Sequence, residues 1–521
     1  MADFVGAQYG ADEVLAGIKR DQVTGIPPVN MTTKVVKGGD AKITITYAVA
    51  SETVVDGQVL CTTKGVMIRR KAGSAPTGIN DGDLVANVTT LSGEIVDEGL
   101  INDTEYFYRF FPYSDHGVYN LNEANIASAT PKEYTLYGFK IAKNDSNPAT
   151  RVTYTEMAEG LTPAYMDFTS GVFNYGSWAD AFFMPRPVML KSNGTVDYFL
   201  NPNDLTKKED GTASDIANTS YDGNAMMQFP TVYFKRWEDA NYEYVNICDI
   251  ELDSSYKAYA HHDHAGNIMP FTYMSIYGNC GLVSSKLRSI SGLTPIASNT
   301  ATQERTYAKN NGSIYDIDVL ADRMMVNDLL VLIGCSTNTQ ATFGRGNDNG
   351  GQNGVLRTGT MNDKGLFWGD QSGTKGVKVF GLENWWGNQW RRTAGWINTS
   401  GTQKVKLTYG TEDGSTVEGY NESGNGYITI SGVTPAGTSG GYINKSKMTE
   451  YGKIPYTASG SDSTYECDGL WFNNSQTNFA LCGGSSGDGL RVGAFGSALG
   501  SAASGSGWSS GAALSCKPLA A

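Results

Sequence analysis

Between Gly469 and Pro518 more than half of the residues are Gly, Ser or Ala, and Trp471, Phe479, Phe495, Leu499, Trp508 and Leu514 punctuate them. A flexible low-complexity tail has no use for large apolar residues at such intervals. They lower the free energy only when buried, by about 1.5–3 kcal/mol for an aliphatic or Phe side chain. The stretch is therefore expected to fold, with Trp471, Phe479, Phe495, Leu499 and Trp508 supplying burial and the small residues between them facing outward. Substitutions at such exposed positions cost within about ±0.5 kcal/mol each.

The same economy of charge holds along the whole chain. Charged residues make up 18% against 63 glycines, which favours short strands joined by Gly, Ser, Thr and Asn turns. At 521 residues the chain is too long for one ordinary core, so several domains are expected. The net charge of −13, without a basic stripe, argues against a nucleic-acid partner. No run approaches the ~18 apolar residues of a membrane span. The N-terminus lacks the basic and apolar regions of a signal peptide, so synthesis in a cytosol is expected. Seven scattered cysteines without a CxxC spacing read as reduced, mostly buried thiols.

Three segments follow. Residues 1–28 form a leader or attachment arm, in which Ala11–Arg20 has the pattern of a short helix ending near Pro27-Pro28. Residues 29–132 alternate with period two, most cleanly over Ala41–Tyr47, and again over Gly65–Lys71 and Thr104–Pro112, which predicts an antiparallel β-sandwich. Residues 133–521 read as an α+β domain with long loops. Its clearest helical pattern is Asp316–Leu330, with apolar residues at 317, 320, 324, 325, 329 and 330. Trp385, Trp386, Trp390 and Trp396 crowd one segment and are expected to anchor irregular loops as an aromatic core.

The stretch from Gly99-Leu100 to Tyr106-x-Tyr108-Arg109, with the strand Val66-x-Ile68-Arg69-Arg70, resembles a fibronectin type III module. The C-terminal frame is Leu481-x-Gly483-Gly484, Gly493-Ala494-Phe495, Trp508 and Gly511-Ala512-x-Leu514-Ser515-Cys516-Lys517-Pro518. It resembles the variable region of diversity-generating-retroelement proteins, which use a C-type-lectin-like fold shared with formylglycine-generating-enzyme-like proteins. The wider region, through Phe229–Lys235, Ser289–Pro295 and the Trp-rich segment, is similar to bacteriophage receptor-binding or tail-fibre proteins.

That resemblance implies a multidomain virion protein made in the bacterial cytoplasm. It would attach through its N-terminal region to other virion proteins and bind a cell-surface receptor, protein or glycan. A homotrimer stays open, because fibres of this kind are often trimers. The ligand-binding region would be about 469–518. Its diversified positions would be Cys482, Ser485, Gly487, Asp488, Arg491, Gly496, Ser497, Ala498, Gly500, Ser501, Gly505, Gly507, Ser509 and Ser510, all residue types reachable from Asn codons by changing adenines. The framework would be Trp385, Trp386, Trp390, Trp471, Phe479, Phe495 and Trp508. Of the diversified positions only Arg491 is a usual binding hot spot.

Other chemistries fare less well. In His261-His262-Asp263-His264, His262 and His264 are the metal-ligand candidates, against the plainer reading of a solvated loop. The triplets of a calcium-dependent sugar site are missing, and no cofactor is expected. No nucleophile elbow, HExxH motif or P-loop is present, and four histidines leave little acid–base capacity. The chain therefore reads as a non-enzyme. A virion fibre or decoration protein without diversification is the alternative, followed by a carbohydrate-active enzyme with two carboxylates.

Overall fold

The structure, a computed structural model, describes residues 25–263, 265–406 and 426–518. The helix expected over Ala11–Arg20 lies outside them. The chain divides into two compact units. One ends at Tyr134 and takes in Leu252–Ser254; the other comprises Thr135–Glu251 and continues from Ser255. Both are dominated by β-sheet.

In the first unit, Thr33–Gly39, Lys42–Ala48 and Ser92–Glu98 form a three-stranded antiparallel sheet. Glu52–Val55, Gln58–Ala72, Asp83–Val88, Tyr106–Ser114 and Ile126–Ala129 form a five-stranded one. The alternation read in the sequence is what joins them. Ile43, Ile45 and Tyr47 of the first sheet share one core with Val66, Ile68, Tyr108 and Phe110 of the second. Successive side chains of a strand point to opposite faces, so each strand gives every second residue to that core.

The second unit is built on a four-stranded, a seven-stranded and a ten-stranded sheet. The helix Leu320–Gly334 packs against them and is buried along nearly its whole length. Helices that are apolar on all sides belong inside a core, and this one carries Leu320, Met324, Met325, Leu329, Leu330 and Ile333 around its circumference. Its acidic residues Asp328 and Asp322 are matched, the first with Arg236 at 2.6 Å, the second with Lys517 and the Ser515 hydroxyl. The sequence pattern places the start of this helix at Asp316. Instead Tyr315–Ile317 is a strand, because Ile317 pairs with Leu514 at the far end of the chain. The helix starts at Leu320 and runs to Gly334, where Cys335 takes a left-handed conformation (φ 46°) and ends it.

The last strand, Leu514–Cys516, lies inside the seven-stranded sheet between Phe271–Ser275 and Tyr315–Ile317. The Gly/Ser/Ala-rich stretch is thus fixed at both ends. It leaves the ten-stranded sheet at Cys482, returns to it in Ser497–Ser501, and finishes in a different sheet.

Candidate functional site

Adjacent strands of the ten-stranded sheet create the site. Thr477–Cys482 lies between Trp390–Thr399 and Ser497–Ser501, and the latter runs parallel to Gly469–Phe472. Register places Ala498 beside both Leu481 and Trp471. These three side chains and Trp390 form one small apolar cluster, with the Trp390 and Trp471 rings edge to face at 5.1 Å. Over this cluster lies an open groove of about 310 Å³.

The groove gathers residues that are far apart in sequence. Asp488, Ala498, Gly500, Ser501, Ser509 and Ser510 line it, all of them nominated from the sequence as diversified positions. Ser439, Phe472 and Asn473 complete the lining. Nothing in the sequence around Ser439 or Asn473 distinguishes them from dozens of other turn residues. They belong here only because of strand pairings made across the sheet.

The other nominated positions scatter. Gly487 is exposed, and Gly507 is half-buried with room for a side chain, the nearest atom to an added methyl being the Ser509 hydroxyl at 3.9 Å. Cys482, Ser485, Gly496 and Ser497 are buried, as is Ala498 in the apolar cluster under the groove, so the expectation of outward-facing side chains fails there. Ser497 donates its hydroxyl to the Phe495 carbonyl at 2.8 Å, and Ser485 donates to the Asp488 carboxylate at 2.7 Å. Gly505 is half-buried, but a methyl there would stand 2.9 Å from the Ala502 carbonyl oxygen. Arg491 is tied into its own loop, donating to the carbonyls of Asp488 and Gly440 and lying over the Trp471 ring at 5.5 Å.

Among the framework residues Trp385, Trp386, Trp390, Phe479, Phe495 and Leu499 are buried. Trp471 and Trp508 are only half-buried, which corrects their expected role as core. Trp471 is a wall of the groove, and Trp508 lies where a side chain at Gly487 would touch it, 3.4 Å from the position of the methyl.

The main chain of this region is held from outside. Arg323 and Asn327, on the buried helix, donate to the Ala494 carbonyl at 2.9 and 2.7 Å. Gln340 donates to the carbonyls of Leu490 and Val492, and Asp468 accepts the Phe495 N–H at 2.8 Å. Further along, Gln389 donates to the Trp508 carbonyl, Trp390 N–H to that of Ser509, and Arg392 to that of Gly505. Each bond reaches a peptide group of the segment and is indifferent to the side chain on that residue.

Burial shifts two of the ionisable anchors, Arg323 and Asp468. It pulls the Arg323 guanidinium down to about 10, and it pushes the Asp468 carboxyl well above the usual carboxylate range. Burial likewise raises the Cys482 thiol, as expected of an unreactive structural cysteine. His262 is half-buried, its imidazole pushed down by burial and by Lys517; His264 lies outside the described residues. Among the described residues no group of three or more His, Cys, Asp or Glu is placed to hold a metal ion. No helix among them is long and apolar enough to cross a membrane.

No protein-family profile matches the chain, and no curated protein matches it. Among solved structures, the twitchin kinase region from C. elegans (Fn31-NL-kin-CRD-Ig26) is similar over 43% of this chain and 40% of that one, at 11% identity and a TM-score of 0.15.

Proposed function

We propose that this chain is a host-attachment protein of a virion that displays a diversified, receptor-binding groove on a C-type-lectin-like scaffold. The observation that carries the reading is the convergence of Asp488, Ala498, Gly500, Ser501, Ser509 and Ser510 on one concavity beside Trp390 and Trp471. A groove of about 310 Å³ is at the lower end of the size of ligand sites. A surface meant to vary needs its loop geometry fixed by something other than the varying side chains, and the peptide-directed bonds from Arg323, Asn327, Gln340 and Asp468 supply that.

In the first unit a fibronectin type III-like spacer is the matching reading. In support, the Tyr106 hydroxyl at the start of its strand accepts the N–H of Ile101 just upstream, a corner device that recurs in sandwiches of the immunoglobulin type.

The test is retention of the purified chain on bacterial host cells, compared with a Gly500→Trp variant that fills the groove. Retention that drops at least tenfold in the variant supports the reading; equal retention, or none for either protein, sinks it. Diversification is tested separately in the neighbouring genome. It requires a reverse transcriptase and a near-copy of the 469–518 coding stretch differing only at adenines.

A further inference from the structure

We infer that the groove takes a neutral carbohydrate and does so without calcium; the inference rests on the receptor-binding reading and narrows it to one ligand class. Two kinds of surface meet there. Trp390, Trp471 and Phe472 offer aromatic carbon, with Trp471 and Phe472 only half-buried. Around them stand the hydroxyls of Ser501, Ser509 and Ser510 and the Asn473 amide, whose oxygen already accepts from Ser475; the Ser439 hydroxyl is taken up by the Phe472 N–H and carbonyl. Sugar rings present the same pairing, with a C–H face that packs on an aromatic ring and a rim of hydroxyls that both donate and accept hydrogen bonds.

Charge narrows the class further. Asp488 is the one ionisable residue lining the groove among the described residues. Its Oδ2 accepts the Ser485 N–H and hydroxyl, each at 2.7 Å. That leaves Oδ1 as an acceptor for ligand hydroxyls and makes the groove unfavourable for an anionic sugar. Among the described residues no cation lines it to pair with a sulfate, phosphate or carboxylate, and Arg491, over the Trp471 ring, is engaged with the carbonyls of Asp488 and Gly440. Hydrolysis of a glycosidic bond takes two carboxyl groups flanking it, and this groove presents one. It therefore holds the glycan and does not cut it. A calcium site gathers about six to eight oxygen ligands, several of them carboxylates, whereas Asp488 is the one carboxylate lining this groove among the described residues, so binding proceeds through direct hydrogen bonds and stacking.

The experiment titrates the full chain with neutral oligosaccharides (glucan, mannan and galactan fragments), following tryptophan fluorescence and calorimetry with and without EDTA. The same fragments are used to compete against cell retention. Saturable binding unaffected by EDTA is expected, weakened at least about tenfold in Trp471→Ala, the loss typical of an aromatic anchor. Gly500→Trp, at a position with room for a side chain, guards against misfolding of the first variant and should abolish binding while leaving the unfolding midpoint unchanged. If cells are retained but no neutral fragment binds or competes, and periodate oxidation of the cells leaves retention intact, the carbohydrate inference is overturned while receptor binding stands. Loss of binding in EDTA, or release of shortened fragments, overturns it equally. Fragments that bind while cells are not retained support the carbohydrate class and remove the receptor reading instead.

Discussion

The Asp468 carboxylate accepts the main-chain N–H of Phe495 at 2.8 Å, with both residues buried. Its other oxygen stands against Gly493, where an added methyl would meet Asp468 Oδ1 at 1.9 Å. This one contact separates two kinds of glycine in the C-terminal stretch. Gly493→Ala is expected to destabilise the protein by about 2 kcal/mol or more, as overpacking does. Gly500→Ala, with nothing nearer than 3.6 Å, should stay within about 0.5 kcal/mol. Denaturant unfolding midpoints of the two variants decide it, and equal losses would erase the distinction between packed and open glycines.

His261 gives the fold a sensitivity to acid. It is fully buried, and burial together with the charge of Lys517 pulls its imidazole down to about 3 from an ordinary 6.5. The folded value lies below the unfolded one, so the fold favours the neutral ring. That stabilisation is complete above pH ~6.5 and is lost progressively as the pH falls toward 3, at up to about 1.4 kcal/mol per pH unit. His262, with Asp263, Lys257 and Lys517 around it, shifts the same way for the same leading reason, burial. Unfolding midpoints should drop between pH 7 and pH 5, and His261→Asn should flatten that drop. An unchanged slope in the variant would assign the acid sensitivity elsewhere.

What the sequence disclosed follows from how local the signal is. The period-two run over Ala41–Tyr47 became the strand Lys42–Ala48 with Ile43, Ile45 and Tyr47 inside, because strand faces are set by neighbours two residues away. Asp316 and Ile317 read as helix because their spacing to Leu320 and Met324 is helical. They are strand because Leu514 and Ser515, nearly two hundred residues on, pair with them. The groove shows the same limit. The family resemblance singles out Asp488, Ala498, Gly500, Ser501, Ser509 and Ser510 as diversified positions, and the fold brings these six to one groove. Ser439 and Asn473 were not legible in the sequence, and neither was the half-exposure of Trp471, since residue type alone makes a tryptophan a core candidate.

Lys517, near the end of the chain, is buried with its ammonium bonded to Asp322, the Thr272 hydroxyl and the Ala260 carbonyl. Lys517→Met leaves Asp322 charged and buried, and breaking such a pair costs about 3–5 kcal/mol. The double variant Lys517→Met/Asp322→Asn is expected to recover part of that loss. Ending the chain at Ala513 also deletes the strand between Phe271–Ser275 and Tyr315–Ile317, and should abolish cooperative unfolding of the second unit. Calorimetry of the three proteins checks the order; a truncated chain that still unfolds in one sharp transition would refute it.

Asn327 ties the aromatic segment to the loop that carries Ala494 from a helix that neither includes. It donates to the Ala494 carbonyl at 2.7 Å and accepts the Trp385 indole N–H at 3.0 Å. Asn327→Leu keeps the volume but leaves Trp385 Nε1 without its acceptor and Ala494 with Arg323 alone, at a cost of about 1–3 kcal/mol for the unsatisfied group. Amide exchange over residues 490–497 should accelerate, because the loop loses one of its peptide-directed anchors. Ser509→Ala removes a groove hydroxyl and should change neither stability nor exchange measurably, since Trp390 holds the Ser509 carbonyl through the main chain. If the display surface tolerates substitution because its anchors lie outside it, then a change at Asn327 must cost more than a change at Ser509. The reverse order would mean that the loop's own side chains hold it in place, and such a loop could not vary freely.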